Sequence, residues 1–238
     1  MKTIKILFFS LALMVGLSSC SEKWLQHELT GGSITEDELA SLGNTSYERV
    51  RGLYSLMFQY GGDHQTFGQK SIDIATDILA GDVALTNAGY GYWSAEAQGT
   101  CSTQGAGRTA QIWGDNFLII ANANNIIRML NKAESMTLTD SLALAEAKTI
   151  RAYCYFNLAH FFSPAQKDES HSSPYVDLDP NFNLKENYPT CPIYTGADEE
   201  YNEENILVPR LLAGVSEVYS FVINDLEDAI ALFAEVEL

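Results

Sequence analysis

All six prolines of this chain lie between Pro164 and Pro209. Residues 1–163 therefore lack the one residue that removes a backbone donor and clashes with the preceding helical turn. Long uninterrupted helices are open to the chain on both sides of that segment, and irregular structure is concentrated within it. The hydrophobic periodicity agrees. Thr45-x-x-Glu48 reads as a capping box that opens a helix with Tyr47, Val50, Tyr54 and Met57 on one face, ended by Gly61-Gly62. A second helix is expected over 65–80, stopping near Gly81-Asp82. Residues 81–107 are rich in Gly, Ser, Thr and Asn, have no helical period, and read as a long loop. Strong stripes follow. Trp113, Phe117, Ile120, Ile127 and Leu130 mark a helix over 109–133. Leu144, Ala147, Ile150, Cys154, Leu158 and Phe161 mark another over 139–162. Its later half, RAYCYFNLAHFF, is apolar nearly all round, which predicts burial on most sides. Arg151 and Tyr153 to Phe156 are accordingly expected to be structural, with the arginine holding a carboxylate or helix-end carbonyls. The last helix is expected from Ser216, with Tyr219, Val222, Leu226, Ala229 and Phe233 in line. The fold class predicted is all-α: TPR-like helical hairpins with long irregular loops.

The first twenty residues read as an address, not as fold. Lys2 and Lys5 precede the apolar run Ile6 to Leu17, which is shorter than the ~20 residues a membrane span needs but matches a signal-peptide core. The run ends in Leu17-Ser18-Ser19-Cys20, which resembles the bacterial lipobox, where the cysteine thiol is acylated. Cys20 is the expected lipidation site. The chain then divides into a signal peptide (1–19), a lipid-anchored tether and entry segment (20–43) and a helical domain (44–238). Its last helix is apolar and lacks a capping stretch, so the domain is expected to be incomplete at its C-terminus. Ser21 follows the cysteine where Asp would favour retention at the inner membrane, which points to the outer membrane. Several acyl chains on one cysteine make such an anchor effectively permanent.

Charge and motifs exclude more than they include. The formal net charge is −17, so nucleic acid is not an expected partner. Cys101, Cys154 and Cys191 remain after Cys20; an odd number permits at most one internal disulfide, and their spacing fits no zinc pattern. Gly105-x-Gly107-x-x-Ala110 leads into a helix, but AQGTCSTQ before it is no strand, so a dinucleotide site is not expected. Asp177-x-Asp179-x-Asn181-x-Asn183 has EF-hand spacing, with Phe182 in place of the turn glycine and Tyr188 in place of the bidentate glutamate. A polar solvated loop is the preferred reading. The four histidines are scattered and no G-x-S-x-G occurs. Neither a metal site nor an enzyme is expected. A surface glycosidase is the enzymatic alternative, although acids this common single out no catalytic pair.

Three segments resemble one family. Trp113-x-x-x-Phe117-x-x-Ile120, with Asn125 shortly after, is similar to the W-x-x-x-Y-x-x-I helix of SusD/RagB proteins. Glu146-Ala147-Lys148-Thr149-Ile150-Arg151-Ala152, running on to Tyr155-Phe156-Asn157-Leu158, resembles the family's A-E-A-K-x-L-R-A-x-x-Y-F-x-L helix and is the most specific match. Pro209-Arg210, Val215-Ser216-Glu217-Val218-Tyr219 and Asp225-Leu226-Glu227-x-Ala229 resemble the third motif, with Leu211 to Gly214 inserted after Pro-Arg. Phe161-Phe162-Ser163-Pro164 stands where F-G-x-x-P is usual. The resemblance implies a cell-surface lipoprotein of the outer membrane. Such a protein binds glycans, or their breakdown oligosaccharides, and passes them to a SusC-like TonB-dependent transporter without a cofactor. The alternatives are RagB-like peptide binding and a helical interaction lipoprotein with no small ligand. The candidate ligand residues are Asn87, Tyr90, Tyr92 and Trp93. GYGYWS sets glycines between its aromatics in a segment without period, and a flat ring matches the C–H face of a pyranose.

Overall fold

The computed structural model describes residues 45–58, 62–86, 91–102, 107–163, 188–197, 200–202 and 206–235. The elements below belong to one unit, Ser46–Leu238. They are α1 (Ser46–Leu56), α2 (Gln69–Ala80), the one-turn α3 (Ser94–Ala97), a 3-10 turn (Thr100–Ser102), α4 (Gly107–Asn131), α5 (Leu138–Phe162), β1 (Pro189–Cys191), β2 (Ala213–Gly214) and α6 (Val215–Glu235). The fold is predominantly helical, as the periodicity predicts. Strand β1, inside the proline-bearing segment read as irregular, pairs with β2 just beyond it in a two-stranded antiparallel sheet. The loop expected over 81–107 carries α3 and the 3-10 turn. Among the described residues no helix is long and apolar enough to cross a membrane.

Helix α5 is the hub, packed on α1, α4, α6 and β1. Its start is fixed by a reciprocal cap. The Asp140 N–H donates to Thr137 Oγ1 at 3.2 Å, and the Thr137 N–H donates to Asp140 Oδ2 at 2.9 Å. Two orphan donors of the first turn are thus satisfied locally. The Ser46 hydroxyl donates to Asp140 Oδ1 at 2.5 Å, which ties α1 to this cap. Ala143, Ala147, Ala152 and Ala159 are fully buried along α5 and let neighbouring helices approach closely. Joined to α5 by six residues and packed along it, α4 forms with it an antiparallel hairpin. Ile120, Ile127 and Leu130 of α4 meet Leu144, Ile150, Cys154 and Leu158 of α5 in one core. Helix α2 ends at Gly81, whose φ of 84° supplies the left-handed cap a side chain would resist.

The faces of three helices differ from the sequence reading. On α1, Ser46, Val50 and Leu53 are buried, whereas Tyr47 and Tyr54 are exposed. On α6 the inward stripe is Val218, Val222, Asp225 and Ala229, whereas Tyr219 and Leu226 lie outside it. On α5 the expectation for Tyr153 and Phe156 is corrected: they are 37% and 44% exposed, and Tyr155 between them is completely buried. Phe156 stacks on His160 and meets the edge of Tyr219 across the α5–α6 surface.

Arg151 does hold a carboxylate. Its Nε and Nη2 each lie 2.7 Å from an oxygen of Asp225 on α6. Its Nη1 donates to Asn124 Oδ1 on α4 at 2.6 Å and to the Thr195 carbonyl at 2.8 Å. Four segments are joined through one guanidinium. Asn124 is the buried amide here, and Asn125, singled out by the motif, is exposed. The buried Tyr155 hydroxyl accepts from the Tyr194 N–H at 2.8 Å and donates to the Tyr194 carbonyl at 3.2 Å. The buried Glu200 carboxylate accepts the Thr195 and Gly196 N–H groups. The strand-poor segment after β1 is thus held by side-chain partners in place of a ladder.

Candidate functional site

The candidate loop lies between α2 and α4. Gly91 has a φ of 79°. Trp93 follows with φ 64° and ψ 4°, and it is the single non-glycine residue at positive φ among the described residues. A bulky side chain in this region is strained and persists where its surroundings over-determine it. Three residues supply that constraint. The Trp93 N–H donates to Gln65 Oε1 at 3.0 Å, and the indole meets the edge of Phe67 at 6.5 Å between centroids. The Arg108 guanidinium lies over the indole, 5.0 Å from its centroid. Tyr92 beside it meets His64 edge to face at 5.0 Å. Both aromatic residues of the pair are half-buried.

Arg108 is itself locked. Its Nε donates to Glu96 Oε1 at 2.7 Å, and its Nη1 donates to the Gln65 carbonyl at 2.7 Å and to Gln111 Oε1. Gln111 in turn donates to Ser71 Oγ at 3.0 Å, which links α4 to α2. A cleft of 470 Å³ opens against this set, lined by Asp63, Gln65, Thr66, Glu96, Arg108 and Gln111 among others. Its size is that of a small-ligand pocket. Asp63 accepts the Gln65 N–H at 2.7 Å and the Thr66 hydroxyl at 3.0 Å, both on Oδ1. Those bonds, with the nearby Arg108 charge, hold its carboxyl below the usual range against a smaller effect of burial. Asp115, one turn further along α4 than Gln111, is shifted upward by burial.

Trp93 contacts Gln65 and Arg108 of the cleft lining but, like Tyr92, does not itself line the cleft, while Asn87 and Tyr90 lie outside the described residues, as do Cys20 and the Asp177–Asn183 segment. Gln65, Glu96, Arg108 and Gln111 are polar residues that the sequence reading did not single out. The Gly105–Ala110 pattern runs into α4, and the described segment nearest before it, Thr100–Ser102, is a 3-10 turn and not the strand a dinucleotide fingerprint needs. Among the described residues no three His, Cys, Asp or Glu side chains gather as a metal site. Cys101, Cys154 and Cys191 are buried free thiols. Burial pushes the Cys154 and Cys191 thiols up to about 12, far from nucleophilic character.

None of the curated proteins matches the chain in sequence. In structure it is similar to a SusD-like carbohydrate binding protein from Bacteroides vulgatus, with a TM-score of 0.57 and 22% identity. That likeness covers 79% of this chain and 35% of the other, so the chain spans about a third of that relative's length. The family model SusD-like_3, described as "Starch-binding associating with outer membrane", matches residues 61–237. Because that match runs through most of the sequence, including the Trp93 loop and helices α2 to α6, the chain belongs to the SusD-like family.

Proposed function

We propose that the protein is a lipid-anchored outer-membrane protein, exposed at the cell surface. It binds glycans or their oligosaccharides and delivers them to a SusC-like TonB-dependent transporter. The observation that carries this reading is Trp93, a half-buried indole fixed by Gln65, Phe67 and Arg108 in a backbone conformation that such a residue resists. A preset flat ring stacks on the C–H face of a pyranose without the entropy cost of ordering a free side chain. Aromatic contacts of this type contribute about 0.5–1.5 kcal/mol beyond area burial. The family's description as starch-binding at the outer membrane and the relative's description as carbohydrate-binding support the ligand class. The Cys20 leader supports the anchor. The role is capture, with the energy of uptake supplied by the transporter.

Calorimetry with maltohexaose, cellohexaose, mannohexaose and xylohexaose tests the ligand class. Binding of at least one is expected, with a loss of about tenfold in Trp93→Ala, at the upper end of what one ring contact provides. Unchanged affinity in a variant with a native melt removes the loop from the site. Binding of oligopeptides in place of all four sugars replaces glycan with peptide as the ligand. Co-purification with a TonB-dependent transporter from outer membranes tests the delivery step.

A further inference from the structure

We propose that the cleft beside Trp93 receives an uncharged sugar unit and discriminates against acidic ones such as uronates. The inference rests on the glycan reading above and concerns which glycans the cleft accepts. It follows from where the charges of the lining residues are spent.

Among the described residues Arg108 is the one cation on the cleft wall, and anionic ligands would need it. Its Nε is committed to Glu96, its Nη1 to Gln65 and Gln111, and its face to the Trp93 ring. An arginine so engaged keeps little fork geometry for a ligand carboxylate or sulfate. Its charge is matched by Glu96, the two side chains being 5% and 2% exposed. Asp63 then leaves the wall with an excess negative charge, and its ionised form is the favoured one. The Gln65 N–H and the Thr66 hydroxyl both donate to its Oδ1. Glu96 is 3% exposed, and among the described residues its buried Oε2 has no hydrogen-bond partner. A buried carboxylate oxygen without a donor is costly in the free protein. The wall therefore offers the Asp63 carboxylate and side-chain amides, which complement hydroxyl donors. It repels anions, because its excess charge has their sign. A hydroxyl-accepting wall of excess negative charge, next to the Trp93 loop, selects a neutral polyol.

Calorimetry separates the possibilities, with the four neutral hexasaccharides and hexagalacturonate as probes for the unaltered protein and for Asp63→Asn. The expected result is a neutral probe that binds at least about tenfold tighter than hexagalacturonate. In Asp63→Asn the neutral affinity should fall by about tenfold, as for loss of a charged hydrogen-bond partner, and the gap between the two classes should narrow. A merely structural role for Asp63 would weaken both classes together. Salt provides a measurement free of any variant: raising ionic strength should improve hexagalacturonate binding to the unaltered protein by screening the repulsion. Hexagalacturonate binding as tightly as the neutral probes, or weakening with salt, overturns the charge argument and leaves the glycan reading standing. A gap unchanged in a folded Asp63→Asn does the same. Failure of every sugar to bind the unaltered protein refutes the glycan reading, and this inference with it.

Discussion

Substitution of Asp225 by alanine is the sharpest test of how this fold is held. Arg151 is 4% exposed and makes two bonds of 2.7 Å to the Asp225 carboxylate. Without the carboxylate, the guanidinium keeps Asn124 and the Thr195 carbonyl as acceptors but has no counter-charge within the core. Lys148 worsens the imbalance, because its Nζ lies 3.8 Å from Asp225 Oδ1. Removing one partner of a buried pair costs about 3–5 kcal/mol. At about 2–4 °C per kcal/mol for a domain of this size, the melting temperature should drop by roughly 6–20 °C. The same pair predicts its own rescue. Arg151→Met combined with Asp225→Leu removes both desolvation costs and should recover most of the loss. The neighbouring pair of Lys148 with Asp228, whose side chain is 61% exposed, is the control: Asp228→Ala should cost under about 1 kcal/mol. Thermal melts followed by far-UV circular dichroism give all four values. An Asp225→Ala melt within about 2 °C of the parent would refute the argument that this clamp joins α4, α5 and α6.

The exposure difference along α5 predicts that Tyr155→Ala costs about 3–5 kcal/mol, whereas Phe156→Ala, on the surface, costs under about 1 kcal/mol; equal losses in chemical denaturation would contradict it. The Cys154 and Cys191 thiols titrate near 9.0 when unfolded and are pushed up to about 12 by burial in the fold. Between those values the unfolded chain binds fewer protons than the folded one, so stability should fall as pH rises above 9.0, and Cys154→Ala with Cys191→Ala should flatten that decline in pH-dependent melts. Iodoacetamide at neutral pH should label both thiols after unfolding and neither before it. Cys20 should be the acylated N-terminus by mass spectrometry, and Cys20→Ala should release the protein from membranes; an unmodified mature Cys20 would remove the anchor.

The parts of the fold that were legible are those fixed by near neighbours. Helices α4 and α5 fall within two residues of their expected starts and ends, because long apolar periods and a local cap determine them. The α5 cap begins at Thr137, since Asp140 three residues later closes the capping box. What hydropathy misread was which face turns inward. On α6 the inward stripe contains Asp225, which an apolar-face reading discards. Its burial is set by Arg151, 74 residues earlier, so the decisive partner lies far outside any helical window. The α5 stretch through Tyr153 and Phe156 shows the converse. It is apolar all round in sequence, yet one of its faces is exposed in this unit because packing partners on α4 and α6 occupy the others.

The candidate site divides in the same way. Glycines between aromatics marked the Trp93 loop locally, and Gly91 and Trp93 both take positive φ there. The residues that fix the indole carry no local mark: Gln65 is 28 positions from Trp93, and Arg108 reaches Gln65 across 43. One signal was nevertheless present. Arg108 is the second residue of α4, a helix with no acidic residue in its first turn. A cation at that end opposes the helix dipole and is disfavoured unless an anion meets it from elsewhere. A buried arginine in that position therefore requires a carboxylate from another segment. Glu96 is that carboxylate, and the requirement it answers draws α3, and Trp93 at its cap, against the start of α4. The strained indole and its locked arginine thus meet where a buried charge at a helix end takes its counter-charge from another segment.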